Sequence, residues 1–322
     1  MIKSPKRCLP PFEEYQKTLP KYIPFAYDPN ALKRLPFGYI ELMNNCPSQP
    51  MLYYNPHYSM HKQTMKDFLA KFPQKKQIGR GSFWDVYCVR DPNDGILKVV
   101  KISIQPHMTA VYENEFINIE TTKNCEYIIQ CISTQKIDNM YFIMMDLMKG
   151  SIWDLLHQRP MEFFEIIYVT GTVLRGLREL HRLGLAHMDV KPENIFVLSD
   201  GRVKLGDLNS CRKIGESLSL EDIGEPSYCA PEVIGGQASQ LADVFSLGIT
   251  IFEMDTRRKF PNYEQNFYFT DPILLNLFRF EELKQMYLFM TITQPSYRVT
   301  VDQLLSMSIF ENPDVKVFPS VL

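Results

Sequence analysis

The stretch of sequence that says most about the fold is His187–Asn194, which reads HMDVKPEN. It directly follows a segment in which apolar residues recur three and four positions apart, as on the buried face of an amphipathic helix. Asp207 comes later, in the run GDLN at the end of a hairpin pattern. On adjacent loops, Asp189 can orient a hydroxyl nucleophile while Asp207 and Asn194 hold Mg²⁺. The two runs therefore predict metal-assisted chemistry at a hydroxyl rather than polar residues that merely cap turns.

A glycine-containing segment, Ile78–Val86, reads IGRGSFWDV. Taken alone, a Gly-x-Gly between strands is more often a simple turn than a phosphate-binding loop. Lys101 gives the segment more weight, because it lies mid-strand in the run VVKI among apolar residues. Desolvating a bare ammonium is costly, so such a lysine needs an anionic partner. We expect a triphosphate, bound by backbone N–H groups of the loop, and a helix glutamate to supply it.

Secondary-structure patterns divide the chain beyond residue 76 into two units with a crevice between them. In the first, one helix is predicted at about Ala110–Lys123, among strands of a meander. Beyond Lys149 the periodicity is mainly helical, with one short hairpin across Ser199–Gly201. The predicted strands of the first unit are Lys76–Gly79, Trp84–Val89, Ile96–Ser103, Tyr127–Ser133 and Tyr141–Leu147, and the predicted helices of the second include Ile166–Leu180, Leu241–Met254, Asp271–Met290 and Val301–Ser306.

The first 71 residues differ from the rest in composition. Half of the 22 prolines precede Gln77, and proline fixes φ and removes a hydrogen-bond donor. This predicts an extended, poorly packed extension, interrupted by a short helix at about Gln63–Lys71. The net charge is −2, but the first 76 residues hold 12 Lys/Arg against 5 Asp/Glu. Because these basic residues are dispersed among prolines, without a stripe or a cluster of aromatic residues between them, we expect no nucleic-acid partner.

Cysteine content and hydropathy favour a soluble intracellular protein. The 7 cysteines form no Cys-x-x-Cys pair, which is typical of free, buried thiols in a reducing compartment. Apolar runs are too short to span a bilayer, and the N-terminus lacks a signal-peptide pattern. We therefore expect a soluble monomer of the cytoplasm or the nucleus, without a membrane span.

Together these runs resemble the eukaryotic protein kinase domain over residues 72–310, with the same order and spacing. The resemblance implies an α+β, bilobal fold. A small β-rich N-lobe with one helix would cover residues 72–147, and a larger helical C-lobe residues 148–310. Residues 1–71 would form an N-terminal extension, and residues 311–322 a short C-terminal tail.

The resemblance also implies roles for the motif residues, with ATP and Mg²⁺ as cofactors. Asp189 would be the catalytic-loop aspartate, and Lys191 would touch the γ-phosphate. Asn194 and Asp207 would bind Mg²⁺. The residues implied to contact ATP are Ile78, Gly79, Gly81, Val86, Lys101, Glu115 and the hinge residues Met145, Asp146 and Leu147, with Met145 as gatekeeper.

Two ion pairs are implied in the same way. For the helix glutamate that pairs with Lys101 the choice is Glu115, while Glu113 and Glu120 stay open. A Glu232–Arg298 bridge would hold the fold without a part in the chemistry.

A finer resemblance is to the Wee1/Myt1 kinases, which inhibit cyclin-dependent kinases by phosphorylating their Gly-rich loop. Met188 stands where most kinases carry Arg, and Glu225, in the run GEPSY, stands where Ser/Thr kinases carry Thr. The run Ala242–Thr250 is similar to the corresponding Myt1 helix. The resemblance implies phosphorylation of Tyr, and of a neighbouring Thr, in a cyclin-bound cyclin-dependent kinase, as a negative regulator of cell-cycle entry.

Met188 also bears on regulation. An apolar side chain offers no charge to a phosphate, so we expect activity without phosphorylation of the activation segment, residues 207–232. A charge-assisted pair between Glu225 and Lys191 would hold the end of that segment instead.

Two departures from the kinase pattern leave open a pseudokinase that acts as a scaffold or binding module. Trp84 replaces the third glycine of the loop, and we expect it to make the loop tip bulkier. Asn209 replaces the final glycine of the Asp-Leu-Gly turn; since Asn tolerates a left-handed φ better than other residues with a side chain, we expect the turn to survive. The third alternative is an ordinary Ser/Thr kinase of another pathway, which Lys191 in the catalytic loop suits.

Overall fold

The computed structural model describes residues 56–105, 107–219, 225–234, 236–261 and 269–310, with side chains from His61 onward. Its first unit is built on a five-stranded antiparallel sheet of order β1-β2-β3-β5-β4. Runs rich in β-branched and aromatic residues form the central strands, as such residues pack well on a pleated surface. The strands are β1 Lys75–Arg80, β2 Trp84–Arg90, β3 Leu97–Ser103, β4 Cys131–Ile137 and β5 Met140–Asp146.

Helix α1, Pro56–Ala70, precedes the sheet and packs its last turn against it. The Phe68 side chain is buried and stacks on Phe142 of β5, with ring centroids 4.0 Å apart. The helix begins earlier than the predicted range Gln63–Lys71. The expectation of poor packing up to residue 71 is wrong for this turn, because Phe68 and Leu69 bury against the sheet. Residues 1–55 of the predicted extension lie outside the described residues.

Helix α2, Thr109–Thr121, connects β3 to β4, close to its predicted range. The fourth strand begins at Cys131, later than the predicted start at Tyr127. The reason is that residues 127–129 pair with Leu205 of the second unit instead. Leu205 N donates to Tyr127 O at 3.0 Å, and Ile129 N donates to Leu205 O at 2.8 Å. These bonds join the two units directly.

The second unit is mainly helical, with two small sheets of order β6-β8-β9 and β10-β7. The predicted apolar stripe of α4, from Ile166 to Leu180, is fully buried, and so is nearly all of α5. The elements are β6 Gly150–Ser151, α3 Ile152–Gln158, α4 Phe163–Arg182, β7 Leu185–Ala186, β8 Ile195–Val197, β9 Val203–Leu205, β10 Arg212–Lys213, α5 Gln240–Thr256, α6 Pro272–Leu275, α7 Glu281–Met290 and α8 Val301–Leu305.

The predicted helix Asp271–Met290 is in fact two helices, α6 and α7. Asp255, fully buried at the end of α5, causes the interruption. Its carboxylate accepts the backbone N–H of Arg279 at 2.9 Å and that of Phe280 at 3.4 Å. These two N–H groups therefore cannot continue the ladder of a single helix. The resulting geometry brings α7 very close to α5, where a Cβ at Gly248 would lie 2.9 Å from the Thr291 methyl.

The motif residues lie at the ends of short strands, as the hairpin pattern predicts. The stretch His187–Asn194 connects β7 to β8, and β8 pairs antiparallel with β9. Asp207 follows β9 by two residues. The fold is therefore α+β, with a β-rich first lobe, a helical second lobe and the motif residues between them.

Candidate active site

Three charged residues from different elements meet in the cleft. Lys101 on β3 places its Nζ atom 2.9 Å from Oε1 of Glu115 on α2 and 2.9 Å from Oδ1 of Asp207. Of the three glutamates considered for this helix, only Glu115 reaches Lys101 among the described residues. Glu113 pairs with Lys136, and Glu120 with Lys123.

Burial and pairing set the protonation states of this cluster. Burial alone would lower the pKa of the Lys101 ammonium, but the Asp207 and Glu115 carboxylates raise it well above its ordinary value. Burial would raise the pKa of Asp207, but Lys101 lowers it below its ordinary value. Lys101 is therefore a cation and Asp207 an anion at neutral pH. Burial raises the pKa of Glu115, and Lys101 opposes that rise.

Asp207 lies in a strained turn that its neighbours hold in place. Its φ is 64°, in the left-handed region that residues other than glycine rarely adopt. Gly206 before it is required by close approach, since a Cβ there would lie 2.8 Å from Ile129. Asn209 lies in a short 3₁₀ turn, Leu208–Ser210, and does not have a positive φ. A turn is present, but the left-handed tolerance of Asn209 is not what allows it, because the positive φ lies at Asp207.

Helix α2 contacts the segment after Asp207 through two asparagines. Asn114 Nδ2 donates to the carbonyls of Asn209 at 3.1 Å and Cys211 at 3.0 Å. Asn118 Nδ2 donates to the carbonyl of Leu208 at 3.0 Å. The sequence pattern does not single out either asparagine, because polar residues are ordinary on an exposed helix face. Their buried contacts couple the position of α2 to that of Asp207.

The catalytic-loop candidates form a second cluster around Asp189. Asp189 Oδ2 accepts from Asn194 Nδ2 at 2.8 Å and lies 3.0 Å from Lys191 Nζ. Its other oxygen, Oδ1, is buried and has no partner among the residues that the structure describes. Buried polar atoms are rarely left unpaired, so this oxygen is available to a group from outside the chain. A substrate hydroxyl would satisfy it.

The donor set fits a hard divalent cation. Asn194 uses its amide N–H groups on Asp189, which leaves its carbonyl oxygen for a metal. Asp207 uses Oδ1 for Lys101, which leaves its second oxygen. The described part of the chain contains no cluster of three or more His, Cys, Asp or Glu side chains poised around one point. Two oxygen donors suit a cation that takes its remaining ligands from phosphates and water.

A buried aspartate to which the sequence motifs assign no role fixes the catalytic loop. Asp243 on α5 is fully buried and accepts the backbone N–H groups of His187 and Met188, both at 2.8 Å. It also lies 2.8 Å from Nε2 of His181. Two successive N–H groups converge on one carboxylate, with Met188 at φ 66°. An acid near the start of a largely apolar helix was the available signal, since a buried charge needs partners.

The glycine-containing loop and the hinge candidates lie on the sheet. Gly81 N donates to Trp84 O at 2.8 Å and closes the turn between β1 and β2. The side chain of Trp84 is 4% exposed and is directed into the protein, so the expectation that it makes the loop tip bulkier is wrong. Ile78 and Gly79 lie on β1, Val86 on β2 opposite Lys101, Met145 and Asp146 at the end of β5, and Leu147 directly after it.

Comparison with known sequences identifies the architecture. The family profile described as Protein kinase domain matches residues 72–310. The chain belongs to this family. Members of this family are phosphotransferases that use ATP and a divalent metal. The charged positions that this chemistry needs are filled around Lys101 and Asp189.

Individual relatives come from several kinase groups. The rat mitogen-activated protein kinase kinase kinase kinase 3 is 31% identical over 209 residues, covering 62% of this chain and 24% of the relative. The rat serine/threonine-protein kinase TAO2 is 34% identical over 208 residues, covering 61% and 16%. The Caenorhabditis briggsae membrane-associated tyrosine- and threonine-specific cdc2-inhibitory kinase wee-1.3 is 30% identical over 223 residues, covering 67% and 34%. The matched region thus spans about a third or less of each of these relatives.

The ion pair between Glu232 and Arg298 forms as expected, outside the cleft. Arg298 is buried and bidentate, with Nη1 at 2.5 Å and Nη2 at 3.0 Å from the Glu232 carboxylate. In the described ranges, no helix has the length and apolar character needed to cross a bilayer.

Proposed function

We propose that this kinase transfers the γ-phosphoryl group of Mg·ATP to a tyrosine, and to a neighbouring threonine, of a cyclin-bound cyclin-dependent kinase, and so inhibits it. One contact carries the proposal: Glu225 Oε2 lies 3.8 Å from Nζ of Lys191, which itself contacts Asp189. A carboxylate at position 225 changes the charge of the surface against which the acceptor hydroxyl would bind. The name of the Caenorhabditis briggsae relative supports the same substrate class.

Two contacts hold the carboxylate of Glu225 in one orientation. Ser227 Oγ donates to Glu225 Oε1 at 3.3 Å, while the other carboxylate oxygen faces Lys191. Burial alone would lower the pKa of Lys191, but Asp189 and then Glu225 raise it. Lys191 is thus a cation between two acids, next to the place where the acceptor must bind.

Each charged residue has a distinct part in the transfer. Asp189 Oδ1 holds the acceptor hydroxyl in line and receives its proton. Lys101 and Lys191 neutralise negative charge on the nucleotide phosphates. Asn194 and Asp207 would hold Mg²⁺, which when bound neutralises charge on the phosphates and orients them. Catalysis would rest mainly on positioning and on charge neutralisation.

We also propose that the catalytic unit covers residues 72–310, with the lobes divided after Leu147. Residues 1–71 and 311–322 would lie outside it, except that α1 adds its last turn to the first lobe. The adenine would bind at Met145–Leu147, beneath Ile78 and Val86.

The decisive experiment identifies the phosphorylated amino acid. The full chain is incubated with Mg·ATP and a catalytically inactive cyclin-dependent kinase bound to its cyclin, and the product is analysed for phosphoamino acids and mapped. We expect phosphotyrosine in the Gly-rich loop of the substrate. The Asp189→Asn variant, prepared in parallel, controls for contaminating kinases. Product that contains phosphoserine alone on every substrate would overturn the proposal.

An ordinary Ser/Thr kinase is the second candidate. It is favoured by Lys191 at 3.0 Å from Asp189 and by the two relatives from other kinase groups, one of which is named a serine/threonine-protein kinase. The same analysis distinguishes the candidates, because this one predicts phosphoserine or phosphothreonine without phosphotyrosine, and no preference for a cyclin-dependent kinase over a general substrate.

A further inference from the structure

Trp84 occupies a buried place between the glycine-containing loop and α2. Its ring meets that of Tyr112 edge to face, with centroids 4.9 Å apart. Tyr112 in turn lies 5.2 Å from Tyr141, and Tyr141 lies 5.2 Å from Phe116. We call these four residues the aromatic column. Aromatic pairs at such distances contribute beyond the area that they bury, so the column connects β2 and β5 to α2.

The indole also lies beside the ion pair that defines the nucleotide site. Lys101 Nζ is 5.5 Å from the centroid of the Trp84 ring, within the range of a cation–π contact. The indole N–H lies close enough to Glu115 to lower the pKa of its carboxyl, against the raising effect of burial. Trp84 is therefore in contact range of both members of the pair.

Two unpaired atoms at this place complement each other. The Trp84 Nε1 donor is buried and has no hydrogen-bond partner among the described residues. Oε2 of Glu115 is likewise buried without a partner there, since Oε1 alone holds Lys101. Leaving a donor and an acceptor unpaired in the interior is unfavourable, and a small approach of the loop to α2 would join them.

We propose that Trp84 is a positioning residue for phosphotransfer: its indole N–H binds Glu115 Oε2 when the lobes close on nucleotide, and so holds Lys101 against the ATP phosphates. The role rests on phosphotransfer by this site and not on the identity of the acceptor. α2 is also fastened to the segment after Asp207 by Asn114 and Asn118. Asn114 and Asn118 therefore already connect α2 to the segment of Asp207, and Trp84 connects the glycine-containing loop to the same helix.

The alternative is that Trp84 only fills space, and a double-mutant cycle separates the two roles. Trp84→Phe keeps a buried ring but removes the N–H donor. We expect it to lower kcat/KM for ATP about tenfold in the full chain, with a small change in Tm. In the Glu115→Gln background the same substitution should change kcat/KM less than about twofold, because the partner is already altered.

Phe116 provides the matched control, because it belongs to the aromatic column, where its ring contacts that of Tyr141, but it has no N–H donor to offer the Glu115 carboxylate. Phe116→Leu should lower Tm, and its effect on kcat/KM should be the same with and without Glu115→Gln. Equal effects of Trp84→Phe in both backgrounds would assign Trp84 to packing alone and overturn the proposal. Loss of phosphotransfer from the wild type itself would contradict the assigned activity instead.

Fluorescence tests the contact without relying on activity or on a Trp84 substitution. The chain has 2 tryptophans, so Trp153→Phe leaves Trp84 as the sole tryptophan, which can be excited selectively over the tyrosines. Addition of Mg·ADP should shift its emission, and Glu115→Gln should remove at least half of that shift at saturating nucleotide. An emission spectrum that nucleotide leaves unchanged, in a protein that still binds nucleotide by calorimetry, would contradict closure of the indole on Glu115.

Discussion

The two walls of the cleft are held in place by different forces. On the second lobe, the loop around Asp189 is bound through backbone N–H groups to Asp243, inside the fully buried part of α5. On the first lobe, Lys101 is held by side chains, among them Glu115 on α2. That helix has an exposed outer face, where Ile117 is 62% exposed. Backbone bonds to a buried helix leave little freedom, whereas side-chain contacts on a half-exposed helix can adjust. Asp189, the proposed proton acceptor, is therefore on the rigid wall, and Lys101, proposed to contact the phosphates, is on the adjustable one.

The largest effect on kcat is expected for substitutions of Lys101 and Asp207, whose ion pair joins the two walls. Lys101→Met or Asp207→Asn should lower kcat by at least about a thousandfold, or ~4 kcal/mol of transition-state stabilisation. The physical reason is that each residue acts on the nucleotide and its metal from the cleft wall, with little contribution to packing. The measurement is steady-state phosphotransfer to a protein substrate, with Tm recorded for each variant.

Lys98 offers the matched control for Lys101. It lies on the same strand but pairs with Asp91 and Asp94 instead of facing the cleft charges. Lys98→Met should reduce Tm while kcat stays within about threefold of wild type. Retention of more than about a tenth of wild-type kcat in either cleft variant would mean that the site is assigned to the wrong residues.

The next largest effect is expected on the stability of the second-lobe wall, which Asp243 holds in place. Asp243→Ala leaves two buried N–H groups without an acceptor, so we expect ~2–4 kcal/mol less free energy of unfolding, measured in urea. Asp271→Ala is the comparison, because it also removes a carboxylate that accepts a backbone N–H, at the start of α6. The N–H group that Asp271 accepts is exposed, so Asp271→Ala should lower the free energy of unfolding by only ~1 kcal/mol. Equal losses in the two variants would argue against the special rigidity of the Asp243 wall.

Motif residues were predictable because their spacing reflects the loops that carry them. The run at 187–194 and Asp207 lie at strand ends, as the hairpin pattern indicates, and the buried stripe of α4 follows from its period. The pairing of Glu115 with Lys101 was less secure, since the three glutamates considered all fit the same helix. The structure resolves the choice through the direction in which each side chain points from α2.

Features that depend on tertiary approach were not predictable. The split between α6 and α7 follows from Asp255, whose partners lie 24 and 25 residues away. The inward position of Trp84 depends on the space beneath the loop, which the sequence does not describe. The same is true of the left-handed Asp207: the sequence drew attention to Asn209, which stands where kinases carry glycine, but the positive φ lies at Asp207.

A smaller effect on kcat/KM is expected for Glu225, beside the proposed binding place of the acceptor hydroxyl. Glu225→Gln keeps the size of the side chain but removes the charge that faces Lys191 at 3.8 Å. Because the contact is partly exposed, kcat/KM for a tyrosine substrate should fall about tenfold, while KM for ATP changes less than about twofold. Kinetics with the acceptor and ATP varied separately check this split. A change confined to the KM for ATP would place Glu225 at the nucleotide instead of the acceptor.

The smallest effect on the rate is expected for phosphorylation of the activation segment, because its described part up to Ser219 is held by backbone hydrogen bonds and an apolar contact. Leu218 N donates to Gly236 O at 3.1 Å, and Ala238 N donates to Glu216 O at 2.8 Å. The Met188 side chain packs in an apolar cluster together with Leu218. In many kinases an arginine at this place binds a phosphate, and that ion pair orders the loop.

The test compares the chain expressed with a phosphatase, the untreated chain and the Ser217→Ala/Ser219→Ala variant. We expect kcat/KM on one substrate to agree within about threefold, because the backbone bonds and the apolar contact of Met188 persist in all three. Met188→Arg supplies a cation at the position where many kinases carry arginine. Only in that variant should phosphorylation of the segment change the rate. A drop beyond about tenfold on dephosphorylation, or ~1.4 kcal/mol, would show that a phosphate orders the segment after all. The adjustable wall would then extend from α2 into the activation segment.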